Sequence, residues 1–321
     1  MTDQYDVIII GGAAAGLTSA IYTCRKNLKT LVITVDVGGQ TLLTNHIENY
    51  PGYFTEAPGY PSGPKLMQTF EAQAKNFGAE FVYGKANKIE KSDHGFLVHL
   101  TNGEKYESKA LILAYGKVPR ALGIPGEEKF VGRGVSVSAV QDAPLYAGKC
   151  VAVIGGGNSA LESAELLAEL CSKVYLVHRR QEFRAEEITV ERVRQKKNVQ
   201  FVLDSVPLEV IGDEKVEKLV IEHVVSKDRA ELAVDGVFID IGFVTDTSAV
   251  KDFVKTNEAG EVFVNAFCET SCQGGFAAGD ITNIPYKQTI VSAGNGATAG
   301  LSAYSYLQKL DGKSVVKIDW S

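Results

Sequence analysis

Two short runs of small residues, 11–16 and 155–160, have the composition and spacing to hold phosphate groups. The first reads Gly-Gly-Ala-Ala-Ala-Gly behind the apolar run Val7, Ile8, Ile9 and Ile10. The second reads Gly-Gly-Gly-Asn-Ser-Ala behind Val151, Ala152, Val153 and Ile154. A buried strand, a turn without bulky side chains and then a helix let backbone N–H groups and a helix N-terminus approach a pyrophosphate. The first run departs from G-x-G-x-x-G at one position. Ala13 stands where the second glycine belongs, and its methyl must be accommodated at the closest approach. The second run is a full G-x-G-x-x-A turn. On these patterns Gly11, Gly12, Ala13, Ala14, Ala15 and Gly16 hold one dinucleotide, and Gly155, Gly157, Asn158, Ser159 and Ala160 hold another.

The residues beyond the next strand of each unit set the preference for a nucleotide. Asp36 falls 20 residues after Gly16, where a dinucleotide fold places a carboxylate on the adenosine ribose; a surface turn acid is the competing reading. After the strand 173–177 the chain carries His178, Arg179 and Arg180, with Arg184 just beyond. An acid there would bind a free ribose 2′-hydroxyl, whereas guanidinium forks suit a 2′-phosphate. This predicts NADPH over NADH, against the plainer reading of a solvated basic surface.

The elements that must position these residues follow from the pattern. Helices are expected over 15–27, 65–77, 159–170 and 292–310. Strands are expected over 30–35, 80–83, 86–91, 96–99, 109–115, 173–177, 199–203, 216–225, 236–241 and 261–265. The Pro-, Gly- and aromatic-rich stretch 53–64 reads as an ordered loop that either selects an acceptor or is a surface insertion. With 321 residues and 45% hydrophobic composition the chain has room for two cored domains. A net charge of −6 argues against nucleic acid or an acidic membrane as a partner. The N-terminal apolar run, preceded by acids and broken by glycine, is neither a signal peptide nor a membrane span. Five scattered cysteines fit a reducing, cytoplasmic setting, and the histidines show no metal-ligand spacing. A tail that revisits the first unit places an inserted domain near 118–243, flanked by 1–117 and 244–321.

These motifs together make the chain resemble the low-molecular-weight thioredoxin reductases, FAD-dependent pyridine nucleotide oxidoreductases. They are GGAAAG at 11–16, GGQ at 38–40, ENYPGY at 48–53, GGGNSALE at 155–162, HRRQEFRA at 178–185, GGFAAGD at 274–280 and IPYKQ at 284–288. The resemblance implies an α/β protein of two Rossmann-like three-layer (ββα/αβ) nucleotide-binding domains, the NADPH domain inserted into the FAD domain. It places FAD on the first turn, with Gly39, Gln40, Asn45, Asn49, Gly116, Gly279, Asp280, Lys287 and Gln288 around it. It places NADPH on the second, with His178, Arg179, Arg180 and Arg184 on the 2′-phosphate. It also implies a homodimer through the FAD domains.

One departure shapes the expected activity. Aligned on Asp142, the family's redox-active C-A-T-C-D falls on Ser138, Ala139, Val140, Gln141 and Asp142, so the dithiol is missing. Serine and glutamine cannot take electrons by thiolate attack or pass them on by disulfide exchange. Asp142, at the position of the family's proton donor, has no thiolate to serve. The expected activity is therefore hydride transfer from NADPH to FAD and onward to an external acceptor: a ferredoxin, a flavodoxin, a quinone or dioxygen. The ferredoxin-linked relatives usually carry a C-terminal extension that stacks on the flavin. This sequence runs only to Trp320 and Ser321, and Trp320 is the aromatic candidate for that place. Two alternatives remain: disulfide reduction of a thioredoxin-like partner by other cysteines or by the partner's own disulfide, and a non-catalytic flavin and NADPH sensor. Cys24, Cys150 and Cys171 read as small buried hydrophobes. Cys268 and Cys272 form the one close pair, able to bridge if their Cα atoms come within about 7 Å.

Overall fold

The structure is a computed structural model that describes residues 4–43, 47, 49–54 and 62–313. Asn45 and Trp320 lie outside the described residues, as does most of the 53–64 loop. The chain divides into two compact units, Met1–Val118 with Thr245–Ser321, and Pro119–Val244.

In the first unit Gln4–Gly12 (β1), Thr30–Val37 (β2) and Glu80–Tyr83 (β3) are parallel neighbours, with Ala14–Arg25 (α1) and Gly63–Asn76 (α2) as the crossovers. Ala86–Ser92 (β4), Gly95–Leu100 (β5) and Lys105–Leu113 (β6) form a meander, and β6 returns parallel to β1. Gly275–Ala277 (β17) then pairs with the second half of β6. Val7, Ile8, Ile9 and Ile10 are all buried because both faces of β1 are covered. Val7 and Ile9 join one apolar cluster, Ile8 and Ile10 the other, as a parallel sheet requires. The last helix, Thr289–Leu310 (α6), packs on α1 along a stripe of small residues. A Cβ added to Gly296 would lie 2.2 Å from the Ala15 carbonyl oxygen, and the Ser19 hydroxyl donates to the Gly296 carbonyl at 2.9 Å.

In the second unit Val135–Ser136 (β8), Cys150–Gly155 (β9), Lys173–Val177 (β10), Val199–Val202 (β11) and Gly236–Asp240 (β15) make a parallel sheet in the order β11-β10-β9-β15-β8. Ala139–Asp142 (α3), Asn158–Leu170 (α4) and Glu187–Arg194 (α5) accompany it. Ser205–Gly212 (β12), Val216–His223 (β13) and Arg229–Ala233 (β14) form an antiparallel sheet, and Val118–Pro119 (β7) pairs with Phe243–Val244 (β16).

Several sequence expectations change. The segment 261–265 is no strand, and Val262 makes only isolated bridges with Thr256 and Thr282. Two of its N–H groups go to side chains, Glu261 to Asn257 Oδ1 and Val264 to Asn283 Oδ1, and the other three to scattered carbonyls, Val262 to Ile281, Phe263 to Lys255 and Asn265 to Glu269. Strands β12 and β14 were not expected; β12 contains a proline and β14 is charged and mostly exposed. Helix α6 starts three residues before its expected position. Among the described residues no helix is long and apolar enough to cross a membrane.

Candidate functional site

Each unit places its glycine-rich turn at the C-terminal edge of its parallel sheet, where the strand order reverses. That crevice is where open α/β sheets bind ligands. In the first unit the turn joins β1 to α1. A Cβ on Gly16 would lie 1.8 Å from the Gly11 carbonyl oxygen, so glycine is needed there to bring the helix onto the strand end. Ala13 is the extended N-cap of α1, makes no side-chain cap, and the first turn carries no acid. The first-turn N–H groups and the positive end of the helix dipole are thus available to an anion. The turn after β2 closes on the same spot. Gly38 N–H donates to the Gly12 carbonyl at 2.9 Å, and a Cβ on Gly39 would lie 3.2 Å from the Ala13 methyl. Asp36, exposed, accepts the Gly39 N–H at 2.9 Å, so its carboxylate braces this turn.

Other expected residues gather along the same edge. Asp280 accepts the Ser292 hydroxyl at 3.1 Å, and a Cβ on Gly279 would fall 2.9 Å from the Ala15 methyl, which sets this segment on the start of α1. Asn49 donates to the Gln288 side chain at 3.0 Å. Gln40 donates to the Lys117 carbonyl at 3.2 Å. Gly116 has open space where a Cβ would stand, and the hydroxyl of neighbouring Tyr115 is buried with no partner among the described residues.

Glu261 had no signal in the sequence. Its Oε1 takes Lys117 at 3.0 Å and Lys287 at 3.1 Å, and its Oε2 takes the Asn257 amide at 2.9 Å. Burial alone would raise this carboxyl, but the Asn257 amide and the two ammonium groups outweigh it and hold it down to about 2. One carboxylate thereby ties the residue after Gly116 to the IPYKQ segment.

In the second unit Gly157 is the informative residue. It is the N-cap of α4 at φ −100°, which any residue can adopt, and an added Cβ would meet nothing within 4 Å. Neither backbone nor packing demands glycine there, whereas close passage of a pyrophosphate does. Gly157→Asp is therefore expected to leave thermal stability unchanged or slightly raised, because Asp is a good N-cap. Its negative charge should weaken NADPH binding by roughly tenfold or more. Gly157→Asn is the neutral control, and calorimetric titration beside a melting curve checks both.

The segment after β10 folds back over this turn. Arg184 N–H donates to the Gly156 carbonyl and Glu186 N–H to Asn158 Oδ1, both at 2.8 Å. The His178 ring, expected on the 2′-phosphate, packs against this turn. It stacks on Phe183 at 5.1 Å, and a Cβ on Gly156 would meet it at 2.2 Å. Its Nε2 donates to the Glu182 carbonyl at 3.0 Å. Burial, and then the three nearby arginines, lower its pKa against the pull of that carbonyl. Arg179, Arg180 and Arg184 are exposed, and among the described residues none of their guanidinium groups has an ion-pair or hydrogen-bond partner. Ser159 is exposed on the first turn of α4, and Ala160 packs beneath Gly155.

Ser138 is buried as the N-cap of α3 and its hydroxyl accepts the Gln141 N–H at 3.3 Å; Asp142 ends that helix, half-buried. All five cysteines are free. The Cys268–Cys272 pairing does not form, because the two thiols pack into different apolar clusters. Cys268 sits with Phe276 and Leu307, Cys272 with Val250 and Ala277. Burial pushes Cys268 up to about 11 and raises Cys272 as well, so neither is a ready thiolate.

Residues 5–316 match the family described as pyridine nucleotide-disulphide oxidoreductase. Thioredoxin reductase of Treponema pallidum is 38% identical over 312 residues, covering 97% of this chain and 99% of that protein. The Lactococcus lactis thioredoxin reductase structure superposes with a TM-score of 0.82 at 36% identity, covering 95% of this chain and 99% of that one. A ferredoxin-flavin thioredoxin reductase structure from Clostridium acetobutylicum gives 0.53 at 32% identity, covering 98% of this chain and all of that one.

Proposed function

Because the chain belongs to the pyridine nucleotide-disulphide oxidoreductase family, we propose that it is an FAD enzyme oxidising NADPH and delivering the electrons to an external acceptor without a dithiol of its own. The first unit is the FAD domain and the second, near 118–243, the NADPH domain. When bound, FAD supplies a two-electron acceptor for hydride whose electrons can leave singly or in pairs. The chain's own residues bind and orient. The start of α1 and the 38–40 turn would hold the pyrophosphate of FAD, Asp280 would offer a carboxylate to a ribityl hydroxyl, and Lys287 and Gln288 would lie toward the ring end. The start of α4 holds the pyrophosphate of NADPH, while Arg179, Arg180 and Arg184 grip its 2′-phosphate. His178 is a positioning residue that braces the turn from behind.

The observation that carries the acceptor half of this reading is Ser138. At the position of the family's thiolate stands a buried hydroxyl engaged in capping a helix. The acceptor would then be a ferredoxin, a flavodoxin, a quinone, dioxygen or the disulfide of a thioredoxin-like partner, with no thiol of this chain in between, and the protein works as a homodimer. Anaerobic stopped-flow mixing of the holoprotein with NADPH and with NADH tests this. Fast bleaching of the flavin band by NADPH, slower bleaching by NADH, and reoxidation by one acceptor class are the expected results. No bleaching by either nucleotide would overturn the enzyme reading in favour of a sensor.

A further inference from the structure

Asp240 is the last residue of β15 and stands in register with Gly155, the last residue of β9. The strand order reverses between these two strands: β9, β10 and β11 follow one another to one side, and β15 and β8 lie to the other. A dinucleotide laid across such an edge puts its adenosine half beyond the second strand, here β10 with its following arginines. Its nicotinamide half falls on the opposite side of the helix N-terminus. That side ends in Asp240.

The surroundings of this carboxylate are simple. Helix α4 brings up the Ser163 hydroxyl, which favours the ionised form, and the Glu162 carboxylate, which repels it. Strand β9 has no charged residue, and β8 ends at Ser136 opposite Phe238, two residues short of it. Burial raises the group to about 6, with Glu162 adding to the rise and Ser163 opposing it. Among the described residues no arginine or lysine is paired with it, so this half-buried acid serves no structural ion pair there.

We propose that Asp240 lies against the nicotinamide half of the bound nucleotide and discriminates between its redox states. The ionised carboxylate attracts the cationic ring of NADP⁺ and gains nothing from the neutral ring of NADPH. Tighter holding of the oxidised form makes bound NADPH a stronger reductant, and a tenfold preference corresponds to about 30 mV for this two-electron couple. The inference rests on residues 155–160 being the NADPH site.

The test uses the oxidised holoprotein and two probes that leave the flavin unreduced. These are NADP⁺ and 1,4,5,6-tetrahydro-NADP, whose ring is neutral and carries no transferable hydride. Their dissociation constants are measured by calorimetry from pH 5 to 8. Charges on the 2′-phosphate and on His178 act on both probes alike and cancel in the ratio. The preference for NADP⁺ should grow about tenfold as pH rises through 6, and Asp240→Asn should make it flat. Ser163→Ala should keep the amplitude and move the midpoint to higher pH, which a purely structural role would not do. A flat ratio in the unmodified protein, or an unchanged rise in Asp240→Asn, overturns the proposal while leaving the NADPH site standing. Failure of both probes and of 2′,5′-ADP to bind overturns that site and the proposal together.

Discussion

Gly16→Ala should cripple the first unit. Its Cβ would sit 1.8 Å from the Gly11 carbonyl oxygen, and backbone cannot swing aside as a side chain can. Relief requires lifting α1 off the end of β1, which also disturbs the contact of Ala15 with Gly296 on α6. Overpacking in a close-packed site costs about 3 kcal/mol at the upper end of the usual range. For a unit of this size that lowers the melting temperature by roughly 6–12 °C. The protein should also be isolated largely without flavin, since the displaced N–H groups are those offered to the pyrophosphate. In the second unit the same slot is Ala160, buried and well packed. The demand therefore comes from the local approach of helix to strand in the first unit. A melting temperature within a degree or two of the parent would show that the turn tolerates a side chain.

The second large effect concerns nucleotide choice. Replacing Arg179, Arg180 and Arg184 together with alanine should weaken NADPH by roughly a hundredfold to a thousandfold and leave NADH nearly unchanged. Charge-assisted bonds to phosphate contribute about 1.5–3 kcal/mol each where solvent is excluded, less where it is not. The three side chains are exposed, so their sum stays well below full additivity. Because none has a partner among the described residues, the substitution breaks no ion pair there and should not affect folding. Steady-state kcat/KM for both nucleotides at two salt concentrations measures it. The NADPH preference should shrink with salt in the parent and be insensitive to salt in the variant. Equal losses for NADH and NADPH would instead make the basic run a general anchor.

Much of this architecture could be read from the chain because it is local. Val7–Ile10 is a continuous apolar run buried on both faces, and a turn of small residues follows at once. Residues 151–160 repeat the arrangement, which fixes two nucleotide folds with little reference to the rest. Polar or distant features were illegible. Strand β14 is charged and mostly exposed, so no alternation marks it. The 261–265 segment has the residues of a strand, yet Asn257 and Asn283 divert two of its N–H groups and the other three reach carbonyls of three separate segments. Glu261 meets Lys117 from 144 positions away, and no spacing rule brings them together. Cys268 and Cys272 show the opposite failure: three intervening residues suggest a bridge, but the local turn sends the thiols into separate clusters. His178 belongs to a recognisable motif, and only packing reveals that its ring faces the turn.

The packing of α1 on α6 has a consequence for how the protein is made. Helix α1 finds its partner only after residue 289 has been synthesised, and β6 waits until residue 275 for β17. The second unit, by contrast, is one uninterrupted stretch, with all its strands available by residue 244. Domains tend to fold as they emerge, so the inserted unit matures first. The surrounding sheet stays open-edged, with an apolar flank uncovered, until α6 arrives. Long-range closure of this kind is slow, and capture of the flavin then becomes one of the last events in assembly.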